Sequence, residues 1–509
     1  MKKQLLLISI FLTFLACEKI GNEFSNAKKT QNLAESLESA RFLSSTPDII
    51  VNTTADVSDF GGSQQISDLP GPDGVVSLRE AIIVANNTSG YQVIGFNIPT
   101  SDPGFDGKVF TIKPLDFCLP SLVDNGTTID GVSQSLFSGE TNLFGPEIVL
   151  DGSEAGSCAG LTIFQSNNNI IRGFVIHSFM EAGIQFIIDP DYPTLGSNYN
   201  EISQCYIGTD ETGTIDLGNG WEGIAVQGSG NLIHDNLVSG NWIGISTGDV
   251  GHIIRNCFVG TNNDGTSPIP NEAFGVLVGG ENMLIERNLI SGNFDNGVVI
   301  DGFDSKIIGN KIGTDITGEI PLPNEGTGVS VAENAHNNLV IDNIIAFNSR
   351  TGVAVTQTAA DNTITQNSIF SNEELGIDLG VPYHGDGVTP NDSEDTDTGP
   401  NNLMNFPVFK FALAAPGQLV VQGTIDTPNP ETVTIEFFAN PVPKPGGDPS
   451  GHGEGAIFWG MIIPNPQGMF TATLPPVSPG TLITATATDI NGNTSEFSRN
   501  IEAKAQGTH

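Results

Sequence analysis

The segments NLIHDNLVSGNWIGIS (231–246) and MLIERNLISGNFDNGVVI (283–300) are two copies of a motif that repeats through residues 160–380. In both copies, short aliphatic runs alternate with Asn, Ser and Gly, and the apolar residues lack helical spacing. Short β-branched runs that are separated by turn residues indicate strands. A repeat of about 21 residues with such runs is typical of one coil of a parallel β-helix.

The repeat aligns on eight equivalent positions, which follow one another at intervals of 21 to 33 residues. The residue three places before each position and the residue two places after it are always Ile or Val. A Gly followed by Ile or Val then opens a third strand. The sequence therefore predicts an all-β protein built on a right-handed parallel β-helix (a solenoid) of at least eight coils. The eight positions are Phe174, Cys205, Asn236, Cys257, Asn288, Asn310, Asn343 and Asn367.

Five of these positions are Asn, and we expect them to mark one corner of the coil. Asn tolerates left-handed backbone angles, and its side chain can hydrogen-bond to the neighbouring coil. We therefore assign this column a structural role and no chemistry.

Some coils are longer because about ten residues are inserted at one corner. The inserts are GTDETGTIDLGNGWEG (208–223), GTNNDGTSPIPNEAFG (260–275) and GTDITGEIPLPNEGTG (313–328). They recur after 52 and 53 residues, so they lie two coils apart, which is about 9.6 Å at about 4.8 Å per coil. We expect them to form a ridge along one edge of the β-helix.

The charge of the chain limits its partners. There are 19 Lys and Arg against 58 Asp and Glu, which gives a net charge of −39. A field of this sign repels phosphate backbones and anionic lipid, so we expect no nucleic-acid partner. It also opposes polyanionic sugars unless a basic patch or bound Ca²⁺ offsets it.

The first residues indicate export. Lys2 and Lys3 precede an apolar run from Leu5 to Leu15, which is too short to span a bilayer of about 30 Å. Cys17 follows the run, and the arrangement resembles a bacterial lipoprotein signal, in which this Cys would be acylated. We expect an outer-membrane lipoprotein at the cell surface, attached peripherally by its N-terminal lipid. The alternatives are signal cleavage with secretion and an uncut N-terminus.

Four cysteines follow Cys17. Cys205 and Cys257 lie two coils apart, which exceeds the Cα separation of about 7 Å that a disulfide allows. Export permits disulfides, and the sequence leaves open whether Cys118 and Cys158 pair. No Cys and His cluster has zinc spacing.

Three motifs point to one family. They are the GTDxTG inserts (208–213 and 313–318), the coil phrase NLISGN (288–293) and the segment SLREAI (77–82). Together they resemble the bacterial CSLREA-type right-handed parallel β-helix repeat surface proteins. One departure is Val76, which stands where the family name implies Cys.

The segment SLREAI (77–82) also predicts a local structure without the family resemblance. Ser77 and Glu80 form a capping box for a short helix that runs to about Asn86. A helix there would cover the open first coil, whose unpaired backbone otherwise invites aggregation.

After Gly380 the coil pattern ends. Residues 381–402 are an acidic loop, and alternating strands follow at 419–425, 432–440, 469–474 and 482–489. They predict a C-terminal Ig-like β-sandwich, which could cap the last coil or bind a partner. The predicted domains are a lipoprotein-type signal (1–17), a polar tether (18–46), an N-terminal capping segment (47–125), the β-helix (126–380), an acidic linker (381–402) and the sandwich (403–503).

Two sets of residues could carry catalysis. His234, Arg255 and Glu286 would be neighbours on one strand face, which we expect to be exposed, and could supply the base and the cation of a polysaccharide lyase. The simpler interpretation, a solvated charge ladder, is favoured. Asp130 and Asp151 are 21 residues apart, which would stack them as the carboxylate pair of a glycoside hydrolase, although Asp-Gly after a strand is also ordinary turn chemistry.

The insert ridge offers aromatic rings and amides that suit a glycan, or else suit packing of the inserts onto the coils. Asp210 and Asp315 are weak candidates for Ca²⁺, because no segment supplies the six to eight oxygen ligands that a convincing site needs. We expect no other cofactor. The candidate glycan-binding residues are Tyr206, Trp221, Phe274, Asn219, Asn271 and Asn324.

Two functions remain. The first is a cell-surface or secreted binding or adhesive protein that contacts polysaccharide or another cell surface. The second is a polysaccharide-degrading enzyme, a lyase or glycoside hydrolase, because the fold hosts both. Few Lys and Arg and no strong catalytic constellation favour the first.

Overall fold

The computed structural model describes residues 46–59, 61–115, 117–189, 191, 196–380, 387–440 and 450–505. The predicted signal with Cys17, and all but the last residue of the predicted tether, lie outside the described residues. Asp48–His509 forms one compact unit. In the described part of the chain, no helix has the length and apolar character needed to cross a membrane.

The repeat folds into three long parallel sheets, and successive coils pair in the predicted register. Ile202 lies opposite Ile171 and Ile233, and Ile254 lies opposite Ile233 and Ile285. The predicted fold class, a parallel β-helix followed by an antiparallel β-sandwich, is confirmed. The sheets also extend towards the N-terminus beyond residue 126, into the predicted capping segment.

Sheets 1, 2 and 3 of the β-helix have 11, 10 and 9 strands. Sheet 1 consists of Ile49–Val51, Gln92–Phe96, Thr127–Asp130, Ile170–Arg172, Glu201–Ser203, Leu232–His234, Ile253–Arg255, Leu284–Glu286, Lys306–Ile308, Leu339–Ile341 and Thr363–Thr365. Sheet 2 consists of Phe110–Ile112, Ile148–Asp151, Phe174–His177, Tyr206–Ile207, Leu237–Val238, Phe258–Val259, Leu289–Ile290, Lys311–Ile312, Ile344–Ala346 and Ser368–Phe370. Sheet 3 consists of Leu161–Phe164, Ile184–Ile187, Glu222–Val226, Ile243–Thr247, Val276–Val278, Val298–Ile300, Val329–Val331, Val353–Thr356 and Ile377–Gly380.

The aliphatic positions of the repeat point into one continuous core. Ile233, Ile254 and Ile285 are completely buried, as are the matching residues of sheets 2 and 3. Burial of each such side chain contributes about 1.5–3 kcal/mol relative to its exposure. The stacked aliphatic columns therefore supply most of the driving force for the solenoid.

The Asn column hydrogen-bonds between coils as predicted. Asn288 Nδ2 donates to Asn310 Oδ1 at 3.0 Å, and Asn310 Nδ2 donates to Asn343 Oδ1 at 3.0 Å. The expected left-handed angle is at a different residue, because φ is positive at the residue before the Asn, as at Arg287 (54°) and Asp342 (57°). Two neighbouring residues therefore have separate roles at this corner. The residue with positive φ turns the chain, and the Asn that follows it hydrogen-bonds to the next coil.

The N-terminal end is covered by a helix, α1 (Leu78–Asn86), as predicted. Its capping box is confirmed, because Ser77 Oγ accepts from the amide of Glu80 at 3.1 Å and Glu80 accepts from the amide of Ser77 at 3.0 Å. A second helix, α2 (Ser133–Ser138), follows later. Short 3₁₀ turns occupy Ile66–Asp68 and Gly152–Glu154.

The cysteines are arranged as the coil spacing requires. Cys118 and Cys158 form a disulfide with a Cα–Cα distance of 5.3 Å, which settles the pairing that the sequence left open. Cys205 and Cys257 are free and buried, as expected for residues two coils apart.

The C-terminal sandwich contains two four-stranded sheets, and all four predicted strands are present within one or two residues. The other four strands of the sandwich were not predicted. The 3₁₀ turns Pro400–Leu403 and Pro430–Thr432 lie before the first strand and after the second. Sheet 4 consists of Val408–Ala415, Gln418–Thr424, Met469–Leu474 and Lys504–Ala505, and sheet 5 of Thr434–Asn440, Ile457–Ile462, Leu482–Thr488 and Ile501–Glu502. Phe438 and Phe497 of the sandwich pack into the β-helix core, so the sandwich caps the last coil.

Candidate functional site

The residues two places before the corner Asn form one column across sheet 1. His234 lies opposite Arg255, and Arg255 lies opposite Glu286, so the predicted alignment is confirmed. The predicted exposure is wrong, because His234 is only 5% exposed and Arg255 only 6%. The column is Arg172, Ser203, His234, Arg255, Glu286, Ile308, Ile341 and Thr365.

The imidazole of His234 bridges two carboxylates. Its Nδ1 lies 2.6 Å from Asp235 Oδ2, and its Nε2 lies 3.3 Å from Glu201 Oε1. Burial opposes the charged ring, but the hydrogen bonds to Asp235 and Glu201 raise the pKa of His234 to about 9. The ring is therefore protonated at neutral pH, and in that state it cannot accept the proton that a lyase base removes.

Asp130 and Asp151 are not stacked, contrary to the prediction. Asp130 ends a strand of sheet 1, and Asp151 ends a strand of sheet 2. The coil is longer here, since Asp130 pairs in register with Arg172, 42 residues later. Asp130 binds Arg172 through hydrogen bonds of 2.8 and 2.7 Å, whereas Asp151 forms a 2.8 Å ion pair with Lys113.

The three candidate Asn residues of the ridge are not available to a glycan. Asn219, Asn271 and Asn324 are 3%, 0% and 0% exposed. Each Nδ2 donates to the Asn Oδ1 of the next coil at 2.8–2.9 Å. They form a second corner ladder, and their prediction as glycan ligands is wrong. The ladder is Asn219, Asn241, Asn271, Asn293, Asn324, Asn348 and Asn372.

Asp210 and Asp315 close the insert loops. Asp210 Oδ1 accepts from the amides of Thr214 and Ile215 at 2.9 Å, and Asp315 Oδ1 accepts from the amide of Ile320 at 3.1 Å. Burial alone would raise the pKa of Asp210, but the hydrogen bonds outweigh it and lower the pKa. Because each carboxylate serves its own loop, the geometry does not support the Ca²⁺ site suggested for Asp210 and Asp315.

Among the described residues, one group of acidic side chains lies close enough to share a metal ion. It comprises Asp392, Asp395 and Asp397 of the acidic linker, with ligand atoms within 4.8 Å of one another. Burial, with added repulsion from the neighbouring carboxylates, raises the pKa of Asp395 to about 6. A carboxylate cluster alone does not define a metal site, and we assign it no ligand.

The three candidate aromatic rings differ in exposure. Tyr206 is half-buried and donates from its hydroxyl to the carbonyl of Phe144 at 2.6 Å. Phe274 is also half-buried. Trp221 is 53% exposed and packs edge-to-face against Trp242, which is 41% exposed, with ring centroids 5.3 Å apart. Tyr206 thus has a packing role, whereas Trp221 is open to solvent.

Trp242 was not predicted from the sequence, although the repeat contains its signal. Trp221 stands two residues before Gly223, and Trp242 stands two residues before Gly244. Both Gly residues belong to the Gly-aliphatic pair in strands of sheet 3. Equal offsets in adjacent coils predict adjacent side chains.

A second missed group lies on sheet 2. His177 lies opposite Asp151 in register, and Asp151 in turn binds Lys113. Burial lowers the pKa of His177 although Asp151 opposes this, so the ring is neutral at neutral pH. Its Nδ1 lies 2.9 Å from Ser178 Oγ, and within the described residues Nε2 has no hydrogen-bond partner. This imidazole, unlike His234, can accept a proton.

A family model described as a right handed beta helix region matches residues 217–369. This chain contains a right-handed β-helix. No curated protein matches the chain.

Several solved structures are distantly similar to this chain. A double mutant of the periplasmic alginate epimerase AlgG has 17% identity and a TM-score of 0.32, with 46% of this chain and 64% of that chain covered. The Azotobacter vinelandii mannuronan C-5 epimerase AlgE6 A-module has 14% identity and a TM-score of 0.34, with coverage of 62% and 69%. The enzymatically active domain of bacteriophage CBA120 tailspike protein 2 has 10% identity and a TM-score of 0.28, with coverage of 89% and 76%. The chain thus spans less than two thirds of the AlgG structure, and similarities this low carry no conclusion about function.

Proposed function

We propose that this chain is an exported β-helix protein of the cell surface that binds a glycan through Trp221 and Trp242. The contact between these two exposed indoles carries the proposal. Trp side chains are usually mostly buried, and exposed apolar surface grouped in one place favours a binding role. Tryptophan is also enriched among the residues that dominate binding energies.

The backbone beneath the two indoles is fixed before a ligand arrives. The amide of Trp242 donates to the carbonyl of Trp221 at 2.9 Å, and the amide of Ala273 donates to the carbonyl of Trp242 at 2.7 Å. Asn241, the residue before Trp242, is a buried rung of the second ladder. A surface held in this way loses little conformational entropy on binding. Such indole faces suit the C–H faces of sugar rings.

The charges near the pair favour a neutral or cationic glycan over a polyuronate. Glu222 follows Trp221 directly, and the exposed Glu272 lies on the next coil, where its amide bonds the carbonyl of Asn241. Carboxylates accept hydrogen bonds from sugar hydroxyls and repel uronates, in agreement with the net charge of −39.

A glycan array followed by titration of the best neutral ligand tests this proposal. Trp221→Ala and Trp242→Ala should each weaken binding about tenfold, since each removes aromatic contact worth about 1 kcal/mol or more. Tyr199→Ala is the matched control, because Tyr199 is 62% exposed and lies at another corner. Undiminished binding by the Trp double variant would overturn the proposal.

The neutral imidazole of His177 favours the second candidate function, a polysaccharide-degrading enzyme. Reducing-end and unsaturated-product assays on a polysaccharide panel distinguish it from binding alone. Under this alternative, His177→Ala abolishes product formation while His234→Ala retains it, because at neutral pH His177 can accept a proton and His234 cannot. Absence of product with the wild-type chain on every polymer would reject it.

The surface location rests on Cys17, and it has its own test. Cys17→Ala should move the protein from the membrane fraction to the soluble fraction, because the acylated Cys would supply the attachment. Metabolic labelling with a fatty acid should mark the wild type and not the variant. A wild type that carries no label would remove the lipoprotein proposal and leave glycan binding untouched.

A further inference from the structure

A third exposed aromatic ring lies at the corner that carries the two exposed indoles. Phe294 is 67% exposed and directly follows Asn293, as Trp242 directly follows Asn241. Both Asn residues end the tripeptide SGN, and both are rungs of the second ladder. Asn271 is the rung between them. The two aromatic residues therefore stand two coils apart, which is about 9.6 Å at about 4.8 Å per coil.

The coil between these two rings presents a carboxylate instead. Glu272 follows the middle rung and is exposed. Its amide donates to the carbonyl of Asn241 at 2.8 Å, and the amide of Phe294 donates to the carbonyl of Asn271 at 3.0 Å. On the coil after Phe294 the equivalent residue is Glu325, which is also exposed and is bonded in the same way. Aromatic rings and carboxylates therefore alternate along this corner, with one on each coil.

The surface that these residues form is long and narrow. It spans five successive coils, or about 19 Å along the axis of the β-helix at about 4.8 Å per coil. An extended β-1,4-linked glycan advances by nearly one coil for each sugar and repeats every two sugars, which is the spacing of Trp242 and Phe294. An α-1,4-linked chain curves and does not keep this period. The surface, called the corner face, consists of Trp221, Trp242, Glu272, Phe294 and Glu325.

We propose that the corner face binds a linear, neutral β-1,4-linked glycan that lies along the axis of the β-helix with one sugar on each coil. This inference rests on the proposed glycan binding by Trp221 and Trp242, and it adds the linkage and the orientation of the ligand. Alternate sugars of an extended β-1,4 chain present the same ring face to one side, so they pack in the same way on Trp242 and on Phe294. The sugar between them lies over Glu272, whose carboxylate accepts from its hydroxyls and repels a uronate.

Calorimetric titration with cello-oligosaccharides of two to six sugars tests the linkage and the orientation. The dissociation constant should fall with each added sugar up to about five, because the face has one position on each coil, and should then stay constant. Maltohexaose contains the same sugar in α-1,4 linkage and should bind at least tenfold more weakly than cellohexaose. Chito-oligosaccharides form a second neutral β-1,4 series, and this length dependence in either series supports the proposal.

Phe294→Ala separates the corner face from binding at the indoles alone. The variant should bind the pentasaccharide about fivefold more weakly, because one aromatic contact is lost, and should bind the disaccharide as the wild type does. Trp242→Ala should weaken the binding of both ligands. Tyr199→Ala should alter neither, and equal melting temperatures for all four proteins confirm that folding is intact.

Two results would overturn the corner face and leave the proposed function standing. One is equal affinity for the β-1,4 and α-1,4 hexasaccharides. The other is unchanged pentasaccharide binding by Phe294→Ala when the Trp variants lose affinity. Absence of binding to every glycan by the wild type would overturn the proposed function itself, and the corner face with it.

Discussion

At the N-terminal end of the β-helix the covering element is α1, and at the C-terminal end it is the sandwich. The helix packs Leu78, Ala81 and Ile82 into the core, and its own first amides are satisfied by Ser77 and Glu80. The sandwich also contributes apolar rings, but its main contacts with the last coil are hydrogen-bond acceptors. The two ends are therefore closed by different chemistry.

Three buried glutamate side chains are acceptors of the C-terminal cap. Glu454 accepts from the amide of Ser371 at 2.6 Å and from the amide and the Nδ2 of Asn372 at 2.9 and 3.0 Å. Glu436 accepts from the amide of Gln366, and Glu496 from that of Leu379, both at 3.1 Å. Side-chain oxygens of Asn401, Asn493 and Thr494 accept from further amides of the same coil.

The direction of the corner ladders explains the difference. In most rungs, a backbone amide donates to a side chain of the following coil: the amide of Asn288 donates to Asn310 Oδ1 at 2.9 Å, and the amide of Asn310 donates to Asn343 Oδ1 at 2.8 Å. The last coil therefore ends in donors that have no following coil, and a cap must supply acceptors. Buried amides without acceptors are rare in native proteins.

The largest effect on stability is expected for a substitution in the core of the β-helix, between the two ends. Ile254→Asp places a carboxylate in the fully buried column and should cost more than about 4–5 kcal/mol, enough to prevent folding. Ile254→Val, the control, should cost about 0.5–1.5 kcal/mol. Chemical denaturation measures both. A soluble Asp variant of normal stability would contradict the inward register.

The second-largest loss of stability is expected when one acceptor is removed from the C-terminal cap. Glu454→Ala removes the acceptor of three hydrogen bonds and should cost about 3 kcal/mol or more in the free energy of unfolding. Glu454→Gln keeps one acceptor oxygen and should lose less than half as much. Equal losses in the two variants would mean that packing, and not hydrogen bonding, holds this end.

Acidity should strengthen the C-terminal end through Glu496. Burial raises the pKa of Glu496 to about 8, with Asp378 adding to it, so the folded state holds a proton that the unfolded state has released above pH about 4.5. Stability from this group is therefore lost as pH rises from about 4.5 to about 8. Between pH 5.5 and 7.5 the loss should reach about 2–3 kcal/mol. Denaturation at several pH values should show a flatter dependence for Glu496→Gln, and an unchanged slope would disprove the assignment.

The smallest effect is expected at the N-terminal end. Ser77→Ala removes the cap of α1 and should cost about 1 kcal/mol, whereas Ser77→Thr keeps a hydroxyl and should cost less. Neither variant should alter the pH dependence that Glu496 sets. Hydrogen exchange of the α1 amides locates the loss, and protection lost instead in the sandwich would show that the two ends are coupled.

The candidate site was predicted where coil stacking alone fixes it. The column through His234, Arg255 and Glu286 follows from the register, because parallel strands with identical offsets must align. Its burial did not follow, because Glu201 from the preceding coil and Asp235 from the corner pack on His234. The ladder that contains Asn219 could have been predicted from the sequence. Its members Asn241 and Asn293 each end the tripeptide SGN, so the repeat marks them as equivalent positions.

The sequence by itself determined the coil, its strands and the helix at the first coil, since these depend on local spacing: aliphatic residues must face one core, and a capping box needs only neighbours in the chain. Tertiary structure decided what depends on residues far apart. Cys118 pairs with Cys158, 40 positions away. Trp221 contacts Trp242, 21 positions away. Glu454 accepts hydrogen bonds from Asn372, 82 positions away. The repeat determines the position of each residue in the coil, but residues from neighbouring coils pack against its side chain. These neighbours therefore determine its charge state and its exposure.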